Sequence, residues 1–266
     1  MWVAFAYANG HLFIVPNNVW CYSDEKGEHA YVGPDEVLLP LYRFVRRNER
    51  LLDGYDPMEQ IGVVFGTGAA AKAADGDATR RGQTSPFSQT CKELVDSHYP
   101  FGVVFPGGVG GSRGFSEQDL QRFERLVLPE GVAVSSKQAA VLKSWKREGR
   151  AVPWTDPASA LRGIEPLVRV AEGKHVWVYP RKNSKDPAAP VVCHLFNPSY
   201  DGNRDSMIEQ TNVVISLRSD FSNRRVRKAV FSTPYEEPQE LPVSSAGGRI
   251  QVTIPKLILW GILSLE

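Results

Sequence analysis

Amide side chains and aromatic rings stand together at Asn17, Asn18, Trp20 and Tyr22, directly after the apolar stretch HLFIV. That combination suits a sugar, because amides hydrogen-bond hydroxyls and a ring stacks on the apolar face of a pyranose. A loop packing on a neighbouring element would use the same residue types. If HLFIV, about His11 to Val15, is a strand of a (β/α)8 barrel, its loop faces the mouth where barrels bind ligands.

Other stretches offer chemistry and fail its requirements. Gly66-Thr67-Gly68-Ala69-Ala70-Ala71 approximates a dinucleotide turn, but the next helix starts only at Ser85-Pro86. The following strand ends in FPGG with no acid for a ribose, and no P-loop lysine follows, so no nucleotide or other cofactor is expected. Gly110-Gly111-Ser112-Arg113-Gly114 matches the G-x-S-x-G elbow of hydrolases, with His175 or His194 as the base. An elbow needs its serine at the strand–helix turn, whereas Ser112 lies well out on a glycine-rich loop. That loop does leave the carboxyl end of a strand, where open α/β sheets bind ligands.

Metals fare no better. Asp201-Gly202-Asn203-Arg204-Asp205 begins like a calcium loop but has Ser206 and Asn212 where glycine and glutamate belong, so it reads as a hairpin turn. The charged run Asp24–His29 reads as solvated. The five histidines form no ligand spacing, and Cys21, Cys91 and Cys193 are scattered. Neither a metal site nor a disulfide framework is expected, and Cys91, in mid-helix, is a poor nucleophile. The basic run Arg224–Lys228 reads as a charged edge strand that blocks sheet-to-sheet association.

The elements that must hold these residues fall into three segments. Residues 1–58 give one strand and one helix, opened by Pro34-Asp35-Glu36 and carrying Leu38, Leu41, Phe44, Val45 and Leu52 at helical spacing. Such a pair closes no core and must dock on something else. Residues 59–156 alternate strands (QIGVVFG, FGVVFPGG, GVAVSS, AVPW) with helices (SPFSQTCKELVDSH, SEQDLQRFERLVL, KQAAVLKSWKREG). That alternation predicts a small Rossmann- or flavodoxin-like parallel sheet covered on both faces. Residues 157–266 open with a linking helix, PASALRGIEPLVRV, and then turn to period two. HVWVYPRKN, VVCHLFNP, TNVVISLRS, KAVFSTP, RIQVTIPK and LWGILSLE predict an antiparallel β-sandwich. The fold class is therefore α/β plus all-β.

The 31 basic and 30 acidic residues nearly cancel, which argues against nucleic-acid or membrane-surface partners. No run reaches membrane-spanning length. The N-terminus has no signal-peptide pattern, so a cytoplasmic place is the default.

The order of segments resembles the C-terminal part of a multidomain glycoside hydrolase. The resemblance rests on PDEVLLPLYRFVRRNERLLDGYD, the unit beginning QIGVVF with SQTCKELVDSHYPFGVVF, and VVCHLFNPSYDGNRDSM leading to NVVISL. It implies the last βα unit of a (β/α)8 barrel, a β-galactosidase-trimerisation or glutamine-amidotransferase-like domain, and a closing sandwich. A barrel needs about 250 residues, so its two catalytic carboxylates would lie outside this chain. The expected role is that of an accessory or assembly part with carbohydrate as ligand, and a barrel domain or a second copy as partner. The alternatives are a carbohydrate-binding protein using Trp177 and Tyr179, and a serine hydrolase using Ser112.

Overall fold

The computed structural model describes residues 1–11, 22–23, 28–29, 35–65, 85–107, 114–171, 173–221 and 225–266. They form two compact units, Met1–Pro57 with Val170–Glu266, and Met58–Arg169. The sequence reading set residues 1–58 apart. In the structure they share a core with the C-terminal strands.

The chain opens with α1 (Trp2–Ala8), an element the sequence reading did not anticipate. The expected strand HLFIV lies outside the described residues apart from His11. α1 stops where the Asn9 side-chain amide donates to the Phe5 carbonyl and Gly10 turns to φ +76°. The ladder of β1 (Tyr22–Ser23) and β2 (Glu28–His29) follows, then α2 (Asp35–Arg47), a single helical turn α3 (Glu49–Leu52) and β3 (Tyr55–Pro57). α2 matches the periodicity of its sequence. Leu41 and Phe44 are buried, and Arg43, Arg46 and Arg47 face out.

The Met58–Arg169 unit is built on β4 (Ile61–Val64), β5 (Phe101–Val104), β6 (Arg125–Leu128) and β7 (Ala151–Pro153). All pair in parallel, in the order β5-β4-β6-β7. Between them run α4 (Pro86–Asp96), the short α5 (Glu117–Leu120) and α6 (Ser136–Arg147), with α7 (Pro157–Ala160) after β7. Strand residues alternate between two cores, as a doubly covered sheet requires. Ile61, Val63 and Val127 meet Leu94 and Leu161 on one face. Val64, Val104 and Leu126 meet Leu120, Phe123, Leu142 and Trp145 on the other. Buried Gln60 ties the returning chain to the sheet, donating to the Glu165 carbonyl at 2.7 Å and accepting from the Leu167 N–H at 3.0 Å.

Three sequence assignments are corrected here. SEQDLQRFERLVL is not one helix. Ser116 caps it as expected, in a reciprocal box with Asp119, but the helix ends at Leu120. RLVL, not GVAVSS, is the third strand. Leu120, Phe123, Leu126 and Val127 fit helical spacing, yet the last two are consecutive and both buried, which a central parallel strand demands. The linking helix likewise reduces to α7, and its end VRV is β8 (Val168–Val170).

The remaining strands return to the first unit. β9 (Trp177–Asn183), β10 (Val191–Phe196), β14 (Ala229–Ser232), β15 (Gln239–Leu241) and β18 (Trp260–Leu265) join β3 in a six-stranded antiparallel sheet ordered β15-β14-β18-β10-β9-β3. β13 (Gln210–Arg218), β16 (Ser244–Ala246) and β17 (Arg249–Leu257) form a second, ordered β16-β17-β13-β8. Each period-two run named above overlaps one of these strands. Strands β10 and β18 are buried along their whole lengths. α1 and α2 cover one face of this sheet. Phe44 meets Trp260 edge-on at 4.9 Å, Phe5 meets Phe196 at 5.5 Å, and Val3, Ala4 and Ala8 pack beside Val192 and Ile262.

The basic run is corrected too. Arg225–Lys228 precede β14 rather than belonging to it, and β14 has a neighbour on each side. The run therefore shields no sheet edge.

Candidate functional site

Of the proposed sugar contacts, Asn17, Asn18 and Trp20 lie outside the described residues. Tyr22 starts β1, opposite His29. Ser112, with Gly110 and Gly111 before it, is also outside, as are Gly66 and Gly68. The two histidines offered as its base are placed. His194 lies fully buried in the six-stranded sheet, where Trp260 Nε1 donates to its Nδ1 at 3.3 Å. Desolvation, aided by the Arg181 charge, pushes its pKa down to about 3, so it is a neutral core residue. His175 sits 3.3 Å from Ser199 Oγ and edge-on to Trp177.

Trp177 and Tyr179 pack against the core beneath α1. Trp177 stacks on Phe196 with centroids 5.7 Å apart. The described cysteines are protonated at neutral pH, because burial pushes Cys91 up to about 11 and Cys193 to about 12. Residues 201–205 form the expected turn between β11 (Tyr200–Asp201) and β12 (Ser206–Met207), with Asp201 Oδ1 accepting from the Asn203 and Arg204 N–H groups. Among the described residues no cluster of ligating side chains could hold a metal, and no helix is long and apolar enough to cross a membrane.

The carboxyl edge of the parallel sheet is aromatic. Phe65 meets Phe87 at 5.0 Å and the exposed Phe105 at 5.5 Å. Beside them a small cavity of about 230 Å³ is lined by Val104, Phe105, Phe115, Asp119 and Arg122. Its acid is already committed to the Ser116 cap.

A larger cleft lies in the first unit. About 680 Å³ opens between α2 and the Pro234–Glu237 link from β14 to β15. Helix α2 lends Tyr42, Arg43, Arg46 and Arg47, with Pro40 beside them, and the link supplies Pro234, Tyr235, Glu236 and Glu237. The helix can spare this face because Leu41 and Phe44 anchor the opposite one. The link is held by Thr233 Oγ1, which accepts from the N–H groups of Tyr235 and Glu236. Glu236 is engaged by Lys256 in an ion pair and by Gln239 Nε2. Tyr235 is 42 % exposed, and burial of part of its ring raises its phenol pKa, which leaves a neutral hydroxyl over an aromatic face. Two tyrosines, two prolines and several N–H donors around an open cleft can stack on and hydrogen-bond a polyhydroxylated ring. Sequence reasoning missed this group because α2 was read only for its apolar stripe. The signal was the spacing of Arg43, Arg46 and Arg47 beside Tyr42.

No family model matches the chain. It is 27% identical over 270 residues to the alpha-agarase of Alteromonas agarilytica, an alignment that takes in 99% of this chain and 18% of that protein. The alpha-agarase of Thalassotalea agarivorans matches equally, at 27% over 270 residues and the same shares. Among solved structures, alpha-L-fucosidase isoenzyme 2 from Paenibacillus thiaminolyticus superposes with a TM-score of 0.60 at 10% identity, over 85% of this chain and 51% of that one. The chain thus resembles, along nearly its whole length, a segment spanning less than a fifth of two alpha-agarases, and it shares its fold with part of a fucosidase.

Proposed function

We propose that the chain is a non-catalytic accessory part of a larger glycoside hydrolase, one that holds carbohydrate rather than cleaving it. The observation that carries this reading is the similarity over 99% of this chain but only 18% of each alpha-agarase. The carboxylate pair needed for glycoside hydrolysis would lie in the part of such an enzyme beyond this segment. The unit Met58–Arg169 would be its trimerisation- or amidotransferase-like domain. The two antiparallel sheets would close face to face as a sandwich, in keeping with β10 and β18 being buried on both sides. Residues 1–57 would lie where a barrel domain precedes this unit, with that barrel or a second copy as the partner.

The carbohydrate would rest in the cleft beside α2, Tyr235 stacking on a sugar ring. Asn17, Asn18, Trp20 and Tyr22 are further candidates for contacts from their loop. The test is to incubate the purified chain with agarose, then measure reducing ends and the protein retained on the washed gel. Retention without new reducing ends is expected. Steady release of reducing ends by the chain alone would overturn the accessory reading, and absence of retention would overturn the carbohydrate one.

A further inference from the structure

We propose that the cleft between α2 and Pro234–Glu237 selects saccharides that carry anionic groups, sulfate esters or carboxylates, over neutral ones. The proposal rests on the carbohydrate reading of that cleft and adds the charge of its ligand. Arg43, Arg46 and Arg47 stand at i, i+3 and i+4, so their side chains share one face of the helix and open on one cavity. Like charges at that spacing repel. Among the described residues, none makes an ion pair or hydrogen bond with these three guanidinium groups.

The opposite wall does not neutralise them. Glu236 is taken by Lys256, which leaves Glu237 as the one uncommitted carboxylate on that wall among the described residues. Three cations against one anion leave the cleft positive, although the whole chain is nearly neutral at +1. A guanidinium presents a planar fork of donors that matches the paired oxygens of a sulfate ester or carboxylate. Tyr235, exposed beside them, supplies the face on which a ring bearing such a group would lie. The near-zero net charge favours a locally charged sugar chain over a nucleic acid, which would call for an extended basic stripe.

The test is calorimetric titration of the full chain with three oligosaccharides of equal length: a neutral agarose hexasaccharide, its sulfated counterpart and an oligogalacturonate. The sulfated or uronate ligand should bind about tenfold or more tighter than the neutral one, and added salt should erase the difference. The two charged ligands tell sulfate from carboxylate recognition. Free sodium sulfate as competitor shows whether the anion alone suffices. The double variant R43Q/R46Q should lose that tenfold preference while keeping its thermal midpoint. Equal affinity for charged and neutral ligands, or a preference that survives in R43Q/R46Q, overturns the proposal and leaves the accessory reading standing. Failure to bind any of the three overturns this proposal together with the carbohydrate reading of the cleft.

Discussion

At the scale of single residues, His194 and Gly10 show how firmly the first unit is determined. His194 is buried beside Trp260 with its folded-state pKa lowered to about 3 from 6.5. The unfolded chain therefore takes up its proton first as pH falls. The stabilisation tied to neutral His194 is whole above pH 6.5 and is lost progressively towards pH 3, by at most about 1.4 kcal/mol per unit. Urea midpoints between pH 7 and pH 4 should fall less steeply in His194→Asn than in the parent, and parallel slopes would contradict the assignment. Gly10 holds φ +76° against the Arg181 guanidinium, where a Cβ would overlap its nitrogens. Gly10→Ala should cost about 1–3 kcal/mol from strained backbone and a displaced buried arginine, read from the shift in urea midpoint. Neither role could be read from the sequence, because both arise from distant chain segments meeting.

At the scale of elements, α2 divides its work between two faces. Phe44, 1 % exposed and edge-on to Trp260, fixes the helix to the six-stranded sheet. Phe44→Ala should cost about 3–5 kcal/mol. Arg46→Gln, on the exposed face, should stay within about 0.5 kcal/mol. Thermal melts of the two variants check the division, and equal losses would contradict it.

This helix was legible in the sequence because its apolar spacing and the burial of Leu41 and Phe44 agree. The six long strands of the antiparallel sheets were legible for the same reason, each alternating or wholly apolar between turn residues. RLVL was not, because Phe123, Leu126 and Val127 continue a helical spacing from a well-capped turn and only the tertiary pairing with β4 settles the matter. α1 was missed because Trp2–Ala8 is apolar throughout and shows no polar face to mark its period. The site was less legible than the fold. Arginines on an exposed helix face look solvated until the Pro234–Glu237 link, nearly two hundred positions away, closes a cleft over them.

At the scale of the molecule, each compact unit has its own core. Residues Met58–Arg169 hold two clusters, one on each face of a parallel sheet, and Gln60 ties the end of the unit to its beginning. Expressed alone, this segment should unfold in one cooperative step followed by circular dichroism, whereas a gradual melt would show that it depends on the remainder. The other unit is discontinuous in sequence, because residues 1–57 lend α1, α2 and β3 to strands formed more than a hundred residues later. The proposal for this unit is that it holds a saccharide in the cleft beside α2. Affinity electrophoresis tests it most directly, with the chain and its Tyr235→Ala variant run through native gels containing increasing soluble agarose oligosaccharide. The account predicts that the parent is retarded in proportion to the saccharide and that Tyr235→Ala runs nearly as in a plain gel. Equal mobility of the parent with and without saccharide, or equal retardation of both proteins, would contradict it.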